Sequence, residues 1–151
     1  MAKSLGFRRS VMRTPMARII FYEKPGCAGN ARQKALLLAS GHQVDARNLL
    51  TEPWSAPSLR PYFGSKPVEE WFNPASPRIK SGEIDPEKVN PQEALMMMIL
   101  DPTLIRRPLM RVGDHCEAGF DREAVRAWVG LKADADDAVD GCIHVIESDA
   151  A

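Results

Sequence analysis

From Ala17 to Tyr22 the chain is apolar almost without interruption. It then turns through Pro25-Gly26 into Cys27 and a stretch of helix formers, Ala31 to Ser40, that stops at Gly41. A short continuous apolar run bounded by turn residues reads as a strand buried on both faces. Leu36, Leu37 and Leu38 supply helix propensity, and Gly41 stands where a left-handed C-cap closes a helix. His42 to Leu50 alternates loosely and reads as a second strand. A helix between two such strands makes a right-handed crossover, so the strands are expected to be parallel. This β-α-β start places the chain in the α/β class.

The rest of the chain adds two further blocks. Prolines at 53, 57, 61, 67, 74 and 77 cut residues 51 to 85 into short helical pieces, predicted over Ser58 to Phe63 and Val68 to Phe72. This block reads as a helical insertion rather than a second domain. Pro77 to Gly82 reads as a basic, glycine-bearing loop, and Pro91 to Leu100 as a helix with proline near its start. Its methionines, Met96, Met97 and Met98, read as adaptable core filling. Leu109 to Val112 and His115 to Ala118 flank Gly113-Asp114 as an antiparallel hairpin. Asp121 caps a last helix that runs through Trp128 and ends at Gly130. The order β-α-β, helical insertion, β-β-α is that of a thioredoxin-like fold, with Cys27 following the first strand.

A length of 151 residues suits one domain, assigned to residues 17–131. Residues 1–16 read as a disordered extension or an over-called start, because Met16 directly precedes the first strand; residues 132–151 form an acidic tail with Asp134, Asp136, Asp137 and Asp140. Lysine plus arginine equals aspartate plus glutamate at 20 each, which disfavours direct nucleic-acid binding. No run approaches the roughly 20 apolar residues of a membrane span. Lys3, Arg8, Arg9 and Arg13 come without the apolar core of a secretory signal. Organelle targeting is the weaker alternative to the cytoplasmic location expected. Cys27, Cys116 and Cys142 are odd in number and contain no CxxC pair, the pattern of reduced thiols. His42, His115 and His144 do not fall at ligand spacing with them, so neither a metal site nor a bound cofactor is expected.

Cys27 carries the chemistry of this sequence. At a helix N-terminus, unpaired N–H groups and the positive end of the helix dipole favour an anion, here a thiolate. An accessible, functional thiol is therefore expected rather than a small buried hydrophobe. Asn30 reads as a helix cap whose amide lies near the thiol. Trp54, Trp71 and Trp128 read as packing anchors, His115 and Cys116 as ordinary strand residues, and Arg78 and Lys80 as part of a solvated loop.

Phe21-Tyr22-Glu23-Lys24-Pro25-Gly26-Cys27, the path from Cys27 to Gly41, and Asp101-Pro102-Thr103-Leu104-Ile105-Arg106-Arg107-Pro108-Leu109 resemble the arsenate reductase (ArsC)/Spx family. The resemblance covers about Arg18 to Val129. It implies a cis peptide at Arg107-Pro108, beside the active thiol. Glu-Lys-Pro-Gly-Cys, Asn30, Arg32-Gln33-Lys34 and Asn90 to Leu95 are most similar to the branch of nitrogenase-associated proteins, which resemble arsenate reductases in fold without a settled reaction.

The resemblance implies Cys27 as nucleophile and Arg107 as one oxyanion-binding arginine, whose guanidinium fork suits a tetrahedral anion. Asn30, Arg32, Arg107 and Pro108 are the candidate residues for binding an anion or a partner thiol. The sequence also departs from the catalytic branch. Glu23 replaces a histidine, and a carboxylate there opposes the thiolate and repels an anion. Asn30-Ala31 replace a serine-arginine pair, no arginine falls within Val68 to Asn73 although Arg78 could serve, and Gly119-Phe120 stand where another arginine is expected. Asn30 also removes the Cys-x-x-Cys switch of the Spx branch. Three functions follow as expectations. The first is a single-thiol accessory protein associated with nitrogen fixation, partnered by nitrogen-fixation proteins. The second is an oxyanion reductase using glutathione as co-substrate and glutaredoxin as partner. The third is a Spx-like transcription-interaction module.

Overall fold

The computed structural model describes residues 16–132. The expected N-terminal extension and the acidic tail beyond Lys132, with Cys142 and His144, lie outside the described residues. Strand β1 (Arg18–Glu23), helix α1 (Ala28–Ala39) and strand β2 (Gln43–Asn48) form the expected β-α-β unit. Its strands are parallel, from Arg18 opposite Gln43 to Glu23 opposite Asn48. Strand β3 (Leu109–Val112) runs antiparallel to β1 with Leu109 opposite Tyr22, and β4 (His115–Ala118) closes the hairpin. The sheet order is β2-β1-β3-β4.

Between β2 and β3 lie the short helices α2 (Ala56–Leu59) and α3 (Pro77–Lys80), helix α4 (Pro91–Leu100), and single 3-10 turns at Arg60–Tyr62, Val68–Trp71, Pro86–Lys88 and Pro102–Leu104. Helix α5 (Arg122–Val129) follows the hairpin, capped by the Asp121 carboxylate, which accepts from the amides of Glu123 and Ala124.

Strand alternation sends side chains to two cores. Ile19, Phe21 and Met110 pack with Leu37 of α1 and Val125 of α5. On the opposite face Tyr22, Leu109 and Ala118 pack under the insertion, against Trp54, Tyr62 and Leu104 among others. Trp54 and Trp71 are buried, with indole N–H groups donating to the carbonyls of Leu49 and Lys66 at 2.9 and 2.8 Å. Trp128 is half-buried against the first core, so all three tryptophans are packing anchors.

Several details differ from the sequence reading. Helix α1 begins at Ala28, not Ala31, because Cys27 is its N-cap and the Ala31 amide already donates to the Cys27 carbonyl at 3.1 Å. Pro77–Lys80 is a helical turn rather than a loop: proline at its first position is pre-set for a helix, and the Lys80 amide reaches the Ser76 carbonyl at 2.9 Å. The predicted piece Ser58 to Phe63 divides at Arg60, where Pro61 enters a 3-10 turn. Of the three methionines only Met98 is fully buried; Met97 packs from the side and Met96 is 58% exposed.

His42 is buried and joins distant parts of the chain. Its Nδ1 accepts from the Ala17 amide at 3.1 Å, which leaves the proton on Nε2 to donate to the Gly130 carbonyl at 2.8 Å. The entry to β1 and the end of α5 are thereby tied to the start of β2.

Candidate functional site

The pairing register brings four chain segments to one end of the sheet. There β1 and β2 end, β3 begins and β4 ends. The turn carrying Cys27, the loop carrying Arg107 and Pro108, and Gly119 therefore share that end. The Arg107-Pro108 peptide is cis, as the resemblance implied, and the Gly119 amide donates to the Pro108 carbonyl at 2.8 Å.

Cys27 is half-exposed and free, and its side chain makes no capping hydrogen bond to α1. Its amide donates to the Lys24 carbonyl at 3.0 Å, closing the turn in which Gly26 takes a φ of 83°. A Cβ placed on Gly29 would lie 3.8 Å from the sulfur, so the thiol rests over the first turn of the helix.

Asn30 is not the expected cap. It lies inside the first turn of α1, is 2% exposed, and accepts the Lys24 amide on Oδ1 at 3.1 Å while Nδ2 donates to Gln33 Oε1 at 3.0 Å. Its amide fastens the turn from inside, leaving the N-cap place to Cys27. Glu23 likewise does not present a bare carboxylate. The Lys34 ammonium lies 2.9 Å from both of its oxygens, with both side chains mostly buried. The repulsion expected of Glu23 is offset by a partner eleven residues away, which no local pattern in the sequence announces.

Arg107 is half-buried and Arg32 exposed on α1; neither has a hydrogen bond or ion pair among the described residues. Arg78 is committed elsewhere. Its guanidinium contacts Asp101 at 2.8 Å and Glu83 at 3.0 Å. Burial alone would raise the Asp101 carboxyl, but bonds from Thr103 and Arg78 outweigh that and hold it below the ordinary carboxylate range. Arg106, which sequence reasoning passed over, lies against Gly119: a Cβ there would stand 2.5 Å from Arg106 Nε, and Gly119 has a φ of 82°.

The model of the ArsC family matches residues 22–128, most of the chain. The chain belongs to the ArsC family. An uncharacterized 15.7 kDa protein in the draG 3' region of Rhodospirillum rubrum is 55% identical over 127 residues, covering 84% of this chain and 89% of that one. The global transcriptional regulator Spx of Lactiplantibacillus plantarum is 25% identical over 116 residues, covering 76% and 88%. Among solved structures, an arsenate reductase from Vibrio cholerae superposes with a TM-score of 0.62 at 19% identity, covering 75% of this chain and 98% of that one. These neighbours share the thioredoxin-like fold.

The chain carries the cysteine turn and a cis peptide at Arg107-Pro108, with Gly119-Phe120 at about the place where the resemblance led to an arginine being expected. Cys116, on β4, faces the insertion two strands across from Ile20. Burial pushes its thiol up, with Arg111 acting in the opposite direction. Cys27 lies past the far end of β1, and both thiols are free. Among the described residues no group of three His, Cys, Asp or Glu could hold a metal ion, and no helix is long and apolar enough to cross a membrane.

Proposed function

We propose that this chain is a single-thiol ArsC-family accessory protein acting in or beside nitrogen fixation, with Cys27 binding or exchanging with a partner thiol or metallocentre. The observation that carries this reading is the contrast at one end of the sheet. A free, half-exposed Cys27 is held by a well-bonded turn, whereas Arg78, the candidate second arginine, is paired with Asp101 and Glu83. The relative from the draG 3' region agrees with a nitrogen-fixation setting. Cys27→Ala tests the role: loss of the nitrogen-fixation phenotype supports it, and an unchanged phenotype in cells making folded protein overturns it.

Arg107, unpaired among the described residues and directly before the cis proline, favours one other reading. In it Cys27 attacks arsenate or another oxyanion, Arg107 and Arg32 steady the charge, and glutathione with glutaredoxin resolves the adduct, because no second cysteine lies in the motif. Arsenate-dependent NADPH oxidation coupled through glutathione, glutathione reductase and glutaredoxin separates the two. Turnover that vanishes in Cys27→Ser makes the protein a reductase; no turnover beside a working control leaves the accessory role. A Spx-like role is disfavoured in its redox part, since the buried Asn30 occupies the second cysteine's place.

A further inference from the structure

One half of a sheet face is left open. On the insertion side of the sheet, Tyr22 is covered by Trp54 and Tyr62, with ring centroids 4.8 and 6.1 Å away. One step back along β1 the cover ends: Ile20 is half-buried, and Arg18, Asp45 and Arg111 around it are exposed. The register places Asp45 and Arg111 on either side of Ile20, and Arg47 beside Tyr22. An open depression of about 510 Å³ runs along β1 and β2 there, from Arg18 and Gln43 to Arg47.

The charges on this face are not balanced. Asp45 is taken by Arg47 at 2.8 Å, and that pair holds the Asp45 carboxyl below its ordinary range. Arg18 reaches the Gln43 side-chain oxygen at 3.4 Å and adds to the positive field at Asp45, while Arg111 donates to the Gly113 carbonyl at 2.9 Å and bonds to the Tyr62 side chain. Neither has a carboxylate within salt-bridge distance among the described residues. Arg18 and Arg111 are diagonal neighbours across an antiparallel pair, about 7–8 Å apart at Cα. The face thus carries Arg18, Arg47 and Arg111 against the single carboxylate of Asp45, and leaves two neighbouring exposed guanidiniums without a close ion pair beside an apolar side chain.

We infer that this face is a docking surface for an extended acidic segment of a partner protein. In an extended segment alternate side chains on one face repeat at about 6.6–6.8 Å, close to the Arg18–Arg111 diagonal. Two carboxylates of that segment pair with Arg18 and Arg111, each guanidinium offering a fork of donors, and an apolar residue beside them covers Ile20. Arg18, Asp45 and Arg111 are exposed around Ile20, so the segment reaches this part of the face without displacing a described element. The open, strand-lined shape fits an extended chain rather than an engulfed small molecule. This surface lies back along the strands from the Cys27 end, so it is independent of the thiol chemistry.

The test uses the full chain and a fluorescein-labelled twelve-residue peptide of alternating glutamate and valine, followed by anisotropy. The wild type should bind, with affinity falling steeply as salt is added. R18E/R111E should weaken binding at least tenfold, whereas K80E/K88E, with the same change in net charge, should bind within twofold of wild type. Cys27→Ser should bind as the wild type does, which separates this surface from the proposed thiol role. Circular dichroism establishes that each variant is folded; if R18E/R111E is not, R18Q/R111Q replaces it with the same tenfold expectation. No binding by the wild type, or equal weakening by both charge-reversed pairs, would overturn the proposal.

Discussion

The amide of Lys24 donates to Oδ1 of Asn30 at 3.1 Å, so a side chain within helix α1 holds the turn that presents Cys27. Asn30 is buried, and its other amide group is engaged by Gln33. The bond is part-buried, and such an intramolecular hydrogen bond contributes about 0.5–1.5 kcal/mol net.

Asn30→Ala should therefore lower stability by about that amount, read as a reduced urea midpoint. The same variant should broaden the resonances of residues 24–27 while leaving those of β3 and β4 unchanged. An unaltered midpoint would mean that the turn is held by its backbone bond from Cys27 to Lys24 alone.

The Glu23–Lys34 pair gives a second prediction. Both side chains are mostly buried, so the contact lies between a solvated ion pair and an interior one. Lys34→Met should destabilise more than the double variant Glu23→Gln/Lys34→Met, because only the single variant leaves a carboxylate unpaired. A coupling of about 1 kcal/mol is expected from the cycle. A reactivity readout sharpens the point. In Lys34→Met the rate of Cys27 alkylation by anionic iodoacetate should fall relative to neutral iodoacetamide, and Glu23→Gln should restore the ratio.

Acid stability should depend on Asp101. Its carboxyl is held below the ordinary value of 3.8 in the folded protein by Thr103 and Arg78, against the opposing effect of burial. The unfolded chain then binds a proton more readily, so the contribution is fully present above the ordinary carboxylate range and is lost as pH falls through the lower folded value. The stability advantage of wild type over Asp101→Asn should be constant near neutrality and shrink below about pH 4. Asparagine keeps the acceptor for the Thr103 amide but places an NH2 where Oδ2 accepts from Arg78, so the lost bond adds a constant part to the gap and its pH dependence reports the charge. A constant gap down to pH 2 would contradict the assignment.

How much of this was legible in the sequence depended on how far apart the interacting residues lie. The β-α-β unit, the hairpin around Gly113-Asp114, the Asp121 cap and the Arg107-Pro108 loop are written in short segments, and all of them form as read. The start of α1 was misplaced by three residues because Gly29 and Asn30 are weak helix formers, and tertiary bonding to Lys24 overrides that weakness. Arg78 was read as a loop residue because Asp101, its partner, lies 23 positions away. Glu23 was read without its partner, because the contact with Lys34 depends on α1 packing back over β1. The candidate site was thus visible as a list of residues. Which of them are held, paired or left open is set by contacts between elements.

Gly119 joins local backbone strain to one of those contacts. Its φ of 82° is unfavourable for a residue with a side chain, and a Cβ would meet Arg106 Nε at 2.5 Å. Gly119→Ala should therefore destabilise through two separable effects, a conformational cost of about 1 kcal/mol and the displacement of the Arg106 side chain. Arg106→Ala in the same background should recover the second effect and leave the first, so the double variant should lie between wild type and Gly119→Ala in thermal midpoint. The Gly119 amide also donates to the Pro108 carbonyl, so the strain falls on the loop that carries Arg107. If Arg107 binds the anion or partner at Cys27, Gly119→Ala should weaken that binding while the double variant partly restores it. Equal midpoints for the single and double variants would show that Arg106 moves aside freely and that the backbone conformation alone requires glycine.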